Sequence, residues 1–135
     1  MRKLRVFLVE DNAIIRHNLE AALEELAPVT VIGHAERSTD AVAALMAPGL
    51  GSDLAIVDIF LKEGSGIGVL AALRAASASV PCVVLTNYAT PAIRTQCLAL
   101  GAEAVFDKSS DIDALVAYCI ERAGGQSRGG ELAPH

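Results

Sequence analysis

Short apolar runs alternate with helix-patterned stretches along nearly the whole chain, and this alternation restricts the fold more than any other feature. Leu4–Val9, Val29–Ile32, Leu54–Val57, Cys82–Leu85 and Ala104–Phe106 read as five strands. Continuous apolar runs, unlike alternating ones, fit strands covered on both faces. Asn12 can cap a helix carrying Ile15, Leu19, Ala22, Leu23 and Leu26 on one side, ended by Pro28. Ser38 or Thr39 caps a second helix through about Met46, broken by Pro48, Gly49 and Gly51. Lys62–Gly66 ("KEGSG") is a loop, and Ile67–Ala76 a third helix. Pro91 fits the first turn of a fourth, which Gly101 terminates. Ile112, Leu115, Val116, Cys119, Ile120 and Ala123 recur at helical spacing in a fifth. Five strands alternating with five helices imply an α/β, doubly wound (βα)5 domain, a parallel sheet with helices on both faces. The domain spans residues 1–123; residues 124–135, rich in Gly and polar groups, are expected to form a flexible C-terminal tail.

Composition removes several function classes. The formal charge of −5 argues against a nucleic-acid surface, where a basic stripe is expected. No apolar stretch approaches the ~20 residues of a membrane helix, and the N-terminal run before Glu10 is too short for a signal peptide, so a cytoplasmic location is expected. Cys82, Cys97 and Cys119 are far apart and lack CxxC spacing, which fits buried hydrophobes in a reducing compartment.

Polar residues gather where the strands end. Glu10 and Asp11 follow the first strand, Asp58 the third, Thr86 the fourth, and Asp107 and Lys108 the fifth. These are all carboxyl ends, the edge where open parallel sheets bind ligands. In the flavodoxin-like order 2-1-3-4-5, strands 1 and 3 are neighbours, so Glu10, Asp11 and Asp58 crowd together. At an effective dielectric near 20, each pair of carboxylates ~4 Å apart costs about 4 kcal/mol. Lys108 offsets part of this, and a divalent cation would offset more. Mg²⁺ accepts a few carboxylates and keeps other positions for water and phosphate oxygens. The edge therefore reads as an acidic, Mg²⁺-binding site that receives an anion.

Each residue also has a plainer role open to it. Asp11 could cap the first helix. Asp58 could be a surface acid, Thr86 strand filler, Lys108 a solvated side chain. Asp53, at the opposite end of strand 3, is read as structural, Asp107 as a neighbour of the lysine, and His17, His34 and His135 receive no role. Four strand ends supplying the groups of one reaction weigh against coincidence.

These segments resemble the receiver domain of bacterial two-component response regulators. "FLVEDN" resembles the first strand with its acidic pair, "AIVDIFLKEGSGI" the stretch around a phosphoacceptor aspartate, "VVLTN" the fourth strand, and "GAEAVFDKS" the lysine segment. The likeness covers about residues 4–123. It implies that Asp58 accepts a phosphoryl group from a sensor histidine kinase or histidine phosphotransfer protein. It also implies that Asp11 and Asp58 ligate Mg²⁺, Glu10 acts mostly through water, and the Phe60 backbone carbonyl adds a ligand. Thr86 would hydrogen-bond a phosphoryl oxygen and Lys108 would pair with its charge. A downstream protein would bind the face made by helix 4, strand 5 and helix 5, with no nucleic acid or membrane bound by this domain.

Three positions depart from the commoner family pattern. Lys62 stands where many receivers have Pro, and Ser109 where many have a cis Pro, so no cis peptide is expected there. Val105 stands where a rotating aromatic is usual, and Phe106 comes one residue later, so it should face the other side of the sheet. Activation should then reposition the Thr86 loop without that rotation, with Tyr88 as a substitute. Phe60 and Tyr88 would flank the phosphoryl group, and either shield it, giving slow autodephosphorylation, or pack against neighbouring loops without kinetic effect.

The leading expectation is a stand-alone phosphorelay domain that catalyses its own phosphorylation and turns over no separate substrate. Two alternatives stay open: the receiver piece of a DNA-binding regulator, and a Mg²⁺-dependent phosphatase or phosphotransferase with an aspartyl intermediate. Against the enzyme, no second acid is spaced as a general acid beside Asp58, and no segment is long enough for a substrate cap.

Overall fold

A computed structural model describes residues 2–128. The elements are β1 (Leu4–Val9), α1 (Ala13–Leu26), β2 (Val29–Ala35), α2 (Ser38–Met46), β3 (Leu54–Val57), α3 (Gly66–Ala75), β4 (Cys82–Thr86), α4 (Pro91–Ala99), β5 (Val105–Asp107) and α5 (Ile112–Arg128). All strand pairs are parallel, in the expected order β2-β1-β3-β4-β5. The register places Val9 beside Val57 and Thr86 beside Asp107. The residues that leave these strands therefore meet at one edge.

Side-chain alternation sorts the strand residues into two cores. Leu4, Val6, Leu8, Leu54, Ile56, Val83, Leu85 and Phe106 pack with α1 and α5 through Leu19, Leu23, Leu115 and Cys119. Phe7, Val9, Ala55, Val57, Val84 and Val105 pack on the other side with Ala41, Leu45, Val69, Leu70 and Cys97 of α2, α3 and α4. Each buried Leu or Val contributes about 1.5–3 kcal/mol, and both faces are filled, as the continuous apolar runs required. Phe106 and Val105 lie on opposite faces, as their adjacency in a strand dictates.

Several expectations need correction. The buried stripe of α1 is Arg16, Leu19 and Leu23; Leu26 is exposed, and Ile15 instead lines an apolar cleft with Leu19, Ala22, Leu85 and Ile112. Arg16 takes the buried position because tertiary acceptors await its guanidinium. Neither Ser38 nor Thr39 caps α2. The cap residue is Arg37, whose side chain makes no capping bond, and the Ser38 amide instead donates to the Glu63 carbonyl (3.0 Å). Ile120 of α5 is exposed. β2 extends beyond Ile32 to Ala35, still paired with β1. α5 passes through Gly124 and Gly125 to Arg128, so the boundary expected at residue 123 falls inside a helix; residues 129–135 of the expected tail lie outside the described residues. Among the described residues there is no cis peptide, in line with Ser109 after Lys108. None of the described helices is long and apolar enough to cross a membrane.

Candidate functional site

The site is built at the carboxyl ends of β1, β3, β4 and β5. The Asp58 amide donates to the Val9 carbonyl (2.9 Å) and the Glu10 amide to the Ala35 carbonyl (3.0 Å), which fixes both acids against the sheet edge. Glu10 and Asp58 are buried, at 4% and 8% exposure, and Asp11 is half-buried. One carboxylate oxygen from each lies within 4.8 Å of the others. Asn12, not Asp11, caps α1: its side chain accepts from the Ile15 amide (3.0 Å). Asp11 is thereby left to the acidic cluster.

Lys108 closes the cluster. Its Nζ donates to Glu10 Oε1 (2.5 Å) and to Asp58 Oδ2 (2.7 Å). Burial works against the ammonium charge, but the hydrogen bonds to Asp58 and Glu10 outweigh it and hold the Lys108 pKa above its ordinary value. Burial pushes the Glu10 carboxyl up, against the pull of Lys108 and of the Asn12 amide, which donates to Glu10 Oε2 (3.1 Å). One ammonium faces three carboxylates, so negative charge remains. The donor set is made of hard oxygen ligands on three residues, which fits Mg²⁺ or Ca²⁺ and not a metal that prefers thiolate or imidazole.

Thr86 is fully buried; its Oγ1 accepts the Tyr88 amide (3.2 Å), and its carbonyl accepts the Lys108 amide (3.0 Å). The Phe60 amide faces Asp58 Oδ1 at 3.4 Å. The Phe60 and Tyr88 rings, both exposed, meet edge-on with centroids 4.5 Å apart and join the loops after β3 and β4. Asp107 takes no part in the cluster. Its Oδ1 accepts the Ser109 hydroxyl and amide, which hold its carboxyl below the ordinary value and shape the turn after β5. Asp53 is structural, as expected, accepting the Arg5 amide (2.9 Å) and the Arg2 guanidinium (3.1 Å). His17 and His34 are absent from the cluster, and His135 lies outside the described residues.

Two residues of the site escaped the reading of the sequence. Arg16, buried, donates from Nη1 to the Glu10 backbone carbonyl (3.1 Å) and lies 3.7 Å from Glu36 Oε2; Glu36 Oε1 in turn accepts from Lys62 Nζ (3.4 Å). This chain of charges links the turn after β1 to the loop after β3. Gly66 starts α3 against the backbone of Asp58: a Cβ there would lie 2.1 Å from the Asp58 carbonyl oxygen. The weak signal for Gly66 is its place eight residues after Asp58 at a helix start; for Arg16 it is a cation at i−3 to Leu19.

The model of the family described as "Response regulator receiver domain" matches residues 6–120. Transcriptional regulatory protein YdfI of Bacillus subtilis is 26% identical over 111 residues, covering 82% of this chain and 51% of the relative. The virulence transcriptional regulatory protein PhoP of Salmonella typhimurium is 29% identical over 114 residues, covering 84% and 49%. The chain thus spans about half the length of the curated relatives it matches. The isolated REC domain of RcsB from Salmonella enterica serovar Typhimurium, solved in the presence of phosphomimetic BeF3⁻, superposes with a TM-score of 0.72 at 27% identity, covering 86% of this chain and 87% of that one.

Proposed function

The chain belongs to the response regulator receiver domain family, and from that premise we propose that it is a phosphorelay receiver that takes a phosphoryl group onto Asp58. The observation that carries the proposal is the position of Lys108 Nζ, 2.7 Å from Asp58 Oδ2, inside a cluster of three carboxylates. A carboxylate held against a cation beside two further acids suits phosphoryl transfer, which asks the protein for alignment and charge neutralisation more than covalent chemistry.

In the proposed reaction an Asp58 carboxylate oxygen attacks phosphorus. The new O–P bond forms as the P–N bond to a donor imidazole breaks, and the electron pair stays on nitrogen. Lys108 pairs with the transferring group's charge as its contact with Asp58 is replaced. The Thr86 side chain swings so that its hydroxyl donates to a phosphoryl oxygen, which carries Oγ1 away from the Tyr88 amide. Asp11, Asp58 and the Phe60 carbonyl would hold Mg²⁺, with Glu10 acting through water; when bound, the ion neutralises carboxylates and phosphoryl oxygens together. The edge-on pair Phe60–Tyr88 covers the approach of water, which favours a long-lived phosphoform. Phe60→Asn and Tyr88→Ala should each speed its decay, and unchanged rates would remove the shielding.

The donor is proposed to be a histidine kinase or phosphotransfer protein, and the output a protein that binds the α4–β5–α5 face. A second reading has a specific observation behind it: the chain spans half the length of relatives named as transcriptional regulators, so it could serve as the receiver part of such a regulator. Phosphorylation of Asp58 is common to both. Intact mass after incubation with acetyl phosphate tests it. A single phosphoryl gain that needs Mg²⁺ and vanishes in Asp58→Ala is expected. No gain in the wild type with Mg²⁺ bound would refute the reading.

A further inference from the structure

The aromatic route from Thr86 to the α4–β5–α5 face is missing, because Val105 stands at the switch position and Phe106 packs on the opposite side of the sheet. A polar connection joins the same elements. Arg94 of α4 donates from Nε to the Ala89 carbonyl (3.1 Å) and from Nη1 to the Val105 carbonyl (2.8 Å), and its Nη2 lies 3.6 Å from Asp111 Oδ2. One planar guanidinium thus holds the loop after β4, the strand β5 and the segment entering α5. A lysine, with a single compact head, lacks the fork that reaches separated acceptors at once.

Both ends of this connection lead somewhere. On the site's side, residues 87–90 hang between Thr86 Oγ1, which accepts the Tyr88 amide, and Thr90, whose amide donates to the Tyr88 carbonyl (2.8 Å). If the Thr86 side chain swings to bring its hydroxyl to another acceptor, Oγ1 leaves the Tyr88 amide and this loop, with Ala89 in it, is released. On the far side, Asp111 Oδ2 accepts the Asp107 amide (2.9 Å), and the Asp111 carbonyl accepts the Leu115 amide (2.9 Å) at the start of α5. A change at Ala89 therefore alters how the guanidinium is shared among acceptors that fix β5 and α5.

We propose that Arg94 is a positioning residue that couples the Thr86 loop to β5 and the start of α5, in place of a rotating aromatic. The inference rests on the reading of Asp58 as phosphoacceptor. The physical requirement is an element with two arrangements that the site biases. Here these are the fork with and without the Ala89 carbonyl.

The test compares the full chain with Arg94→Met and Arg94→Lys, each with Mg²⁺, with and without acetyl phosphate. Intact mass reports occupancy of Asp58. Amide hydrogen exchange reports residues 87–93 and 105–115, scored for each variant as phosphorylated minus unphosphorylated. All three proteins are expected to become phosphorylated and to respond at 87–93. The response at 105–115 is expected to fall about fivefold or more in Arg94→Met, the lower end of ordinary coupling between sites, and to fall measurably in Arg94→Lys. Variants that exchange faster at 105–115 in both states but keep the wild-type difference would show a merely structural role and overturn the proposal. Arg94→Lys keeps the cation, so it decides the matter if Arg94→Met does not fold. No phosphorylation of the wild type would overturn the functional reading and this inference with it; phosphorylation with unchanged coupling would overturn the inference alone.

Discussion

Replacing Gly66 with Ala tests how the end of β3 that leads into Asp58 is held. The added Cβ would lie 2.1 Å from the Asp58 carbonyl oxygen, 2.8 Å from the Asp58 carbonyl carbon and 2.9 Å from Ile59 Cα. An ordinary carbon–oxygen contact of about 3.3 Å requires a separation of roughly 1.2 Å more. All three atoms are backbone, and the Gly66 amide is committed to the Ile59 carbonyl (2.8 Å), so no rotamer change relieves the clash. Overpacking of this kind costs about 1–3 kcal/mol and sometimes more; here about 3 kcal/mol is expected. For a chain of 135 residues, that lowers Tm by about 10 °C. Gly68 is the internal control, two residues on in the same helix. Its Cβ would meet only Ser65 Oγ, at 3.5 Å, so Gly68→Ala should gain about 0.5 kcal/mol in helix propensity. Thermal unfolding followed by circular dichroism should move the two variants in opposite directions. Phosphorylation of Asp58 should slow only in Gly66→Ala. A Gly66→Ala protein that melts with or above the wild type would refute the close approach and its proposed control of Asp58.

Arg16→Met strands the Glu10 carbonyl and removes a cation from Glu36, so it should cost about 1–3 kcal/mol, read as a lower denaturant midpoint with unchanged slope; an unchanged midpoint would remove Arg16 from the site's framework. Burial pushes the Cys82 thiol up to about 12 and the Cys119 thiol to about 11, and raises Cys97. Alkylation at pH 8 should therefore label none of the three until denaturant is added, and rapid labelling of any would contradict this packing. Burial, then the hydrogen bond with Glu103, raises the Tyr118 phenol to about 12 from an ordinary value of 10.0. A folded pKa above the unfolded one contributes stability that is complete below about pH 10 and lost as pH rises through about 12. Absorbance titration of Tyr88→Phe, which leaves Tyr118 as the only tyrosine, should give a midpoint near 12, and a midpoint near 10 would contradict the contact.

The parts of this fold that could be read from the sequence are those set by local pattern. Continuous apolar runs named the strands, and the polar residues immediately after them named Glu10, Asp11, Asp58, Thr86 and Lys108. Period-two alternation alone put Phe106 and Val105 on opposite faces. What stayed hidden depends on partners distant in sequence. Arg16 and Ile15 are equally plausible on the helical face of Leu19, and an arginine is placed in solvent by default because its acceptors, the Glu10 carbonyl and Glu36, come from other segments. Arg94 was silent for the same reason: two of its acceptors are backbone carbonyls, which carry no side-chain signature. Gly66 read as one more loop glycine, since only the folded helix brings it against Asp58. Ser38 misled because its hydroxyl suits a cap, yet it lies against Gly64 and its amide donates to the Glu63 carbonyl, both in the loop after β3, and Arg37 takes the cap position.

The measurement that tests the central claim most directly is the position of the phosphoryl group. The phosphorylated chain would be reduced with borohydride, which converts an aspartyl phosphate to homoserine, and then digested and sequenced by mass. Homoserine at position 58, dependent on Mg²⁺ and acetyl phosphate, is the predicted result. Modification at Asp11, Glu10 or any other residue, with Asp58 untouched, would contradict the assignment.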